Sequence, residues 1–236
     1  MIKYPKTPRL PNADVLGWKN LHAVVSEKLD GANVGVSFES RHDMTLQSRG
    51  HILRGGRQER QFDLFKGMMH PLQDRLWEAL GDDFVLFGEW LYAKHRVFYD
   101  ALPSYLFVLD VYDKRTECFL SKPRRRNRLQ DLPLPEPPTL YEGSYKKVSN
   151  FTQFIGTSPF RSENWRTHLV EDSRVLEIRD PLDHTDDSRL MEGVYVKVED
   201  ENSVVGRLKI SRPEFEKVRD SDLWKKGRVL PNRCVV

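Results

Sequence analysis

Glu27-Lys28-Leu29-Asp30-Gly31-Ala32-Asn33 is the stretch on which the fold and the chemistry of this chain turn. It follows an apolar run, Ala23-Val24-Val25, and precedes Val34, Val36 and Phe38, which alternate as the inward residues of a half-buried strand do. Lys28 therefore stands at a strand end, in a turn that Gly31 permits. A lysine in a turn is ordinarily a solvated side chain. Here its neighbours supply a carboxylate on each side, Glu27 and Asp30, and an amide at Asn33, more polar groups than a plain hairpin requires.

Working outward, Met44 to Gln47 is the natural hairpin partner of the strand after Asn33. Between about Gln61 and Leu80 the period changes. Phe62, Phe65, Met69, Leu72, Leu76 and Leu80 recur every three or four residues and predict an amphipathic helix, which Pro71 must kink or split. Residues 84–91 and 105–112 are apolar runs of buried-strand length. The basic stretch Lys122-Pro123-Arg124-Arg125-Arg126-Asn127-Arg128 leads into Pro133 to Pro138, the best candidate for a loop between sub-structures. Residues 150–172 read as short helical pieces anchored by Trp165. Further on, Val194, Val196 and Val198 share one strand face opposite Tyr195, Lys197 and Glu199, and Leu208 and Ile210 oppose Arg207 and Lys209. No βαβ alternation is present, so the pattern predicts an α+β protein rich in antiparallel sheet.

Composition narrows the setting without naming a partner. At 236 residues the chain is long enough for a real core, and one domain over 1–236 is the default. The net charge of +3, from 38 basic against 35 acidic residues, leaves the distribution of charge to decide what is bound. Cys118 and Cys234 form no metal-type or redox-type pair, which suits a reducing cytoplasm. The N-terminus has no signal-peptide core, and no apolar run reaches the ~18–20 residues that cross a bilayer. The seven histidines are scattered without metal-site spacing.

Lys28-Leu29-Asp30-Gly31-Ala32-Asn33 resembles the first signature of the covalent nucleotidyltransferases, the superfamily of DNA ligases, RNA ligases and mRNA-capping guanylyltransferases. The remaining signatures follow in the same order. Ser48-Arg49-Gly50 is similar to the second, and Phe87-Gly88-Glu89-Trp90 to the third. Phe107-Val108-Leu109-Asp110-Val111-Tyr112 resembles the next, Glu192-Gly193-Val194-Tyr195-Val196-Lys197 the fourth numbered motif, and Arg207-Leu208-Lys209 the fifth. The six matches span roughly residues 22–212. Glu27 and Asn33 on either side of the lysine, the segment Tyr92 to Asp113 and the ending Pro231-Asn232-Arg233 look most like the RNA ligase 2 branch, bacterial members of which are sometimes fused to end-repair kinases.

The resemblance assigns roles. Lys28 is the nucleophile that takes AMP from ATP. At an unperturbed pKa of ~10.4 it must lose a proton, which nearby cations favour and carboxylates oppose. Arg207 and Lys209 point at the α-phosphate, with Lys197 on the neighbouring strand also toward the nucleotide. Asp110 and Glu192 hold Mg²⁺ or Mn²⁺, hard cations that prefer carboxylate oxygen. Glu89 binds the ribose hydroxyls, Arg49 a phosphate, Asn33 the phosphate or ribose region, and Glu27 the adenine edge. Two residues depart from the usual pattern. Arg207 stands where a lysine is common and cannot deprotonate. Leu109 stands where an aromatic often stacks on the purine, and covers the base by dispersion alone. Taken singly, each residue also has an ordinary reading: strand-end carboxylates paired with surface arginines, a hairpin arginine, basic residues on a half-exposed strand, aromatics of the core.

The expected fold is thus an α+β, ATP-grasp-like ligase catalytic domain with antiparallel sheets flanked by helices. About 25 residues follow the strand of Lys209, too few for an OB-fold or other separate C-terminal domain. The expected activity is ATP-dependent RNA ligation in cytoplasmic RNA repair. It would join 5′-phosphate to 3′-hydroxyl ends, nicked duplex included, with an end-repair kinase or phosphatase as partner and no membrane. DNA nick sealing and capping-type guanylyl transfer on the same scaffold are the rival enzymes, and a catalytically silent nucleic-acid-binding module is the rival of another class. The basic run at 122–128 reads equally as a contact for the phosphate backbone or as a solvated loop.

Overall fold

Strand β1 (His22–Glu27) of the computed structural model carries Lys28 at its end, and β2 (Ala32–Ser40) leaves the turn that follows. The structure describes residues 1–9, 21–145, 148–220 and 228–235. The close approach of two strand ends explains the glycine between them. A Cβ on Gly31 would lie 2.5 Å from the Trp90 carbonyl oxygen and 2.6 Å from Leu91 Cδ2.

β2 pairs with β3 (Asp43–Ser48) and with β4 (Phe84–Trp90), and β4 pairs with β5 (Leu106–Asp113), which pairs with the short β6 (Cys118–Phe119). This first sheet has the order β3-β2-β4-β5-β6. The second, β7-β1-β8-β9, adds β7 (Thr139–Ser144), β8 (Gly193–Glu199) and β9 (Val204–Ser211). Every pairing is antiparallel. The predicted α+β class and the hairpin of residues 44–47 are both present.

Each sheet spends one face on its own core. Val34, Val36, Phe38, Leu86 and Trp90 meet Phe65, Met69, Leu76 and Leu80 from helices α1 (Asp63–Met69) and α2 (Gln73–Leu80). The helical period of 62–80 is therefore real, and Pro71 splits it. A 3₁₀ turn, His70–Leu72, separates the two helices where proline supplies no N–H. In the second sheet Ala23, Val25, Val194, Val196 and Val198 pack on Tyr145 and Phe151. The opposite faces, with Val24 and Ser26 on β1, Lys28 just past its end, and Tyr195 and Lys197 on β8, look into the space between the sheets. Trp165 is fully buried at the start of α4 (Trp165–Val175), with the Arg161 guanidinium 3.8 Å from its ring.

The basic stretch is no loop. It forms α3 (Lys122–Leu129), with Pro123 in its first turn, where a missing N–H costs nothing. Lys122, Arg125 and Leu129 share its buried face at helical spacing, because carboxylates from distant strands and loops meet the two cations there. The expected loop at Pro133–Pro138 does join the sub-structures. The Pro135 carbonyl accepts from Val108 N–H on β5, and the Pro138 carbonyl accepts from Glu27 N–H on β1. Among the described residues no helix is long and apolar enough to cross a membrane.

Candidate active site

A cavity of about 710 Å³ lies between the two sheets, of a size suited to a small organic ligand. Eight residues singled out in the sequence line it: Glu27, Lys28, Asn33, Arg49, Glu89, Leu109, Lys197 and Lys209. They come from β1, β2, the end of β3, β4, β5, β8 and β9, so only the closing of two sheets brings them together. Arg207, Asp110 and Glu192 do not line it.

Lys28 Nζ donates to Glu192 Oε2 at 2.7 Å, and Glu192 Oε1 accepts from Ser211 Oγ at 3.2 Å. Gly193 lets β8 pass β9 at this point, since a Cβ would sit 1.9 Å from the Ile210 carbonyl oxygen. Burial pulls the pKa of Lys28 down, but the charges of Glu192, Asp30 and Glu89 outweigh it and the net shift is upward. Of the two opposing influences expected on the amine, the carboxylates therefore dominate, and Lys28 is held as an ammonium. Lys209 stands opposite Tyr195 in the β8–β9 register. Its own pKa is lowered by burial and by the charges of Lys28, Arg9 and Arg49, of which Lys28 and Arg49 line the cavity with it. Asp30 is buried, and its Oδ2 accepts from the Arg96 and Val97 amides at 2.7 and 2.9 Å, which fixes the turn beside the cavity.

Asp110 has a different surrounding from that of a metal ligand. It is 0 % exposed. Oδ1 accepts from Lys197 Nζ at 2.8 Å, and Oδ2 from the Tyr4 hydroxyl and from Arg207 Nη1 at 3.3 Å. Burial raises its pKa, yet Lys197, Arg207 and Arg125 pull harder and hold it below the usual carboxylate range. Oδ1 thus has one hydrogen-bond donor and Oδ2 two, with Arg125 Nη1 a further 3.8 Å from Oδ1. The two expected metal ligands sit in separate ion-paired clusters, Asp110 with Lys197 and Arg207 and Glu192 with Lys28, and among the described residues no group of three acidic, histidine or cysteine side chains is placed to hold a metal ion. Arg207 likewise turns from the cavity. Its guanidinium lies 4.2 Å from the Phe119 ring and 5.4 Å from that of Tyr4. Lys197 also donates to the Leu109 carbonyl, and burial lowers its pKa to about 8.

The remaining polar groups are poised for a ligand to differing degrees. Asn33 Nδ2 donates to the Gly88 carbonyl at 3.1 Å, while its buried Oδ1 has no partner. Glu89 accepts from Gly31 N–H at 3.2 Å, and burial raises its pKa to about 7. Glu27 is 1 % exposed, and neither carboxylate oxygen makes a hydrogen bond of ordinary geometry. Burial raises it to about 7, slightly relieved by the Ser158 hydroxyl. Strand alternation puts Glu27 on the face opposite to Ser26 and Lys28, and its charge acts on Tyr99, so its carboxylate does not share the face of the nucleophile. Leu109 is half-buried at the cavity wall.

Several lining residues escaped the sequence reading. Ser26 and Tyr195 were legible in principle from strand alternation around Lys28 and Lys209. Tyr4, Pro5 and Thr7, and likewise His95 and Arg96, carry no local signal, because only tertiary contacts bring them in. In α3, Arg125 faces the cavity through its bond to Glu136, with Nε and Nη2 each 2.8 Å from Oε1.

An RNA ligase family model matches residues 21–211, most of the chain. The chain belongs to the RNA ligase family. No curated protein sequence matches it. Among solved structures, an RNA ligase of Naegleria gruberi with pyrophosphate is 16% identical, with a TM-score of 0.58 over 89% of this chain and 56% of that one. A variant of that enzyme with ATP and manganese gives 15% identity and a TM-score of 0.59 over 92% and 58%. Another, with AMP and manganese, gives 16% and 0.58 over 92% and 58%. The fold is the one these ligases share, and the chain spans a little over half of their length.

Proposed function

We propose that this chain is an ATP-dependent RNA ligase catalytic unit that works through a lysyl-AMP adduct on Lys28. One observation carries the reading: the Lys28 amine opens on a nucleotide-sized cavity, with the Glu192 carboxylate at 2.7 Å and with Arg49 and Lys209 lining the same cavity. Family membership and the ATP and AMP complexes of the Naegleria enzyme support it. In the first step the Nζ lone pair attacks the α-phosphorus of ATP. An N–P bond forms as the P–O bond to pyrophosphate breaks, and the ammonium proton has Glu192 Oε2 within reach. Lys209 and Arg49 compensate the charge that develops on the phosphoryl oxygens. AMP then passes to an RNA 5′-phosphate, and a 3′-hydroxyl displaces it to seal the strand.

The unpartnered Oδ1 of Asn33 and the Glu89 carboxylate fit ribose hydroxyls as acceptors, and Leu109 offers an apolar face to the base. Glu192 would take a Mg²⁺ or Mn²⁺ ion only once Lys28 has left its carboxylate, magnesium being held by carboxylates together with substrate phosphates. Such an ion supplies positive charge for the pyrophosphate leaving group. Asp110 is ion-paired with Lys197 and Arg207 instead. RNA ends, including nicked duplex, are the proposed substrate. A kinase or phosphatase that prepares 5′-phosphate and 3′-hydroxyl ends is the class of partner the reaction needs, in a cytoplasmic repair setting.

Intact-protein mass spectrometry with and without ATP tests the first step in wild type and Lys28→Ala. The expected result is a gain of one AMP confined to wild type. A wild type that gains no AMP with either Mg²⁺ or Mn²⁺ would overturn the reading.

A further inference from the structure

After β3 the chain leaves the cavity wall at His51 and returns to it at Gln61. The loop between carries Arg54, Arg57 and Arg60, all exposed, and follows Arg49, which is exposed and lines the cavity. Among the described residues no carboxylate pairs with any of these four guanidiniums. The one acidic residue of the loop, Glu59, is turned inward and buried. Its Oε2 accepts from Gly55 N–H at 2.6 Å and from Lys66 Nζ at 3.1 Å, its Oε1 accepts from Arg54 N–H at 3.3 Å, and His51 Nε2 is 3.4 Å from Oε1. The foot of the loop is tied to the first sheet, where Ser48 N–H donates to the His51 carbonyl at 2.9 Å and Leu53 N–H to the Leu46 carbonyl at 2.8 Å. Buried Leu53 and Phe62 anchor its two ends in the core. The loop is therefore held in place with its negative charge inside and its positive charge in water.

The basic run of α3 shows the opposite outcome. There Lys122 is paired with Glu142, and Arg125 and Arg126 with Glu136, so the protein neutralises its own cations. In the loop of residues 51–60 that neutralisation is left to a ligand. ATP in the cavity would meet Arg49 and Lys209, and the three outer arginines exceed what a mononucleotide needs. A strand whose end lies at Lys28 must leave by the mouth of the cavity, carrying one negative charge per nucleotide past its rim. Arginine suits that partner, because its planar fork grips two phosphate oxygens at once. We propose that the loop of residues 51–60 is a docking surface for the phosphate backbone of an RNA strand, gripped outside the cavity by Arg54, Arg57 and Arg60. The assignment deepens the ligase reading given above and rests on it for the identity of the polyanion.

The test is fluorescence anisotropy of the full chain with a short 5′-phosphorylated single-stranded RNA, over a salt series and without nucleotide. Each phosphate contact to a single strand contributes about 0.7 to the slope of log K against log salt. Arg54→Gln/Arg57→Gln/Arg60→Gln should therefore flatten the slope by about 2 and weaken binding about 10-fold or more at about 0.1 M salt. Each single Arg→Gln change should take away about 0.7, so the result does not hang on the triple variant folding. Arg54→Lys/Arg57→Lys/Arg60→Lys keeps the charge and should recover most of the slope. Arg75→Gln/Arg174→Gln/Arg179→Gln removes the same charge from exposed positions outside the loop and the cavity wall, and should cost less than half as much slope. No RNA binding by wild type, a wild-type slope in the glutamine triple and singles, an equal loss in the distant triple, or no recovery with lysine overturns the proposal. The ligase reading is decided separately, by the AMP adduct: a wild type that forms none yet keeps the loop-dependent slope loses that reading and retains the RNA surface.

Discussion

Asp110→Ala separates a structural carboxylate from a metal ligand, and its cost can be worked from the site. The carboxylate is wholly enclosed, with Lys197 and Arg207 buried around it at 2.8 and 3.3 Å. Removing one member of a buried ion pair costs about 3–5 kcal/mol, because the partner charge is stranded. A second route gives a similar size. Without Asp110, Lys197 escapes by losing its proton. Keeping neutral at pH 7 an amine that titrates near 10.5 in the unfolded chain costs about 5 kcal/mol, at about 1.36 kcal/mol per pH unit. In a chain of 236 residues each kcal/mol moves Tm by about 2–4 °C, so the variant should melt about 6–20 °C below wild type at pH 7. The pH dependence has a definite sign. The folded pKa of Asp110 is depressed, so its stabilisation is present above the unfolded carboxylate pKa and is lost as pH falls through the folded one. The gap should persist at neutral pH and close in acid. Calorimetry in EDTA, without nucleotide, is the assay. A Tm within about 2 °C of wild type there would refute the ion-pair argument and return Asp110 to the metal.

Glu27→Gln should stabilise the ligand-free protein at pH 8 by up to about 3 kcal/mol and leave it unchanged near pH 4, by thermal melts across that range. The folded pKa is raised from 4.5 to about 7 by burial, so stability present at low pH is lost as pH rises through 7, and glutamine removes that loss. A gain that does not depend on pH would show that Glu27 is not titrating as its burial requires. In α3, Arg125→Ala should cost about 1.5–3 kcal/mol, since Glu136 loses a charged hydrogen-bond partner but keeps Arg126, whereas exposed Arg124→Ala should stay within about 0.5 kcal/mol. Equal losses would contradict the buried placement of Arg125. An RNA-binding salt slope unchanged in Arg124→Ala would show that this arginine touches no phosphate.

Much of the fold was readable one segment at a time. The period-2 alternation of residues 34–38 and 194–198 and the helical period of 62–80 are local consequences of which face is buried, and both survive in the structure. The six signatures stood where a closed pair of sheets brings eight of eleven chosen residues to one cavity. The basic run misled because its charge pattern looks solvated. Its partners Glu136, Glu142 and Glu199 are distant enough in sequence that no local rule reveals the neutralisation.

The sequence by itself determined the strand-turn-strand around Lys28, the alternating faces of β8 and β9, and the family to which those motifs belong, because each depends on neighbours within a few residues. The tertiary structure alone decided the state of the charges. Lys28 is held as an ammonium by Glu192, 164 positions away. Asp110 is spent on Lys197, Arg207 and Tyr4, of which Tyr4 lies 106 positions away. Burial and through-space charge set a side chain's protonation and free valences, and neither is fixed until the two sheets close on each other.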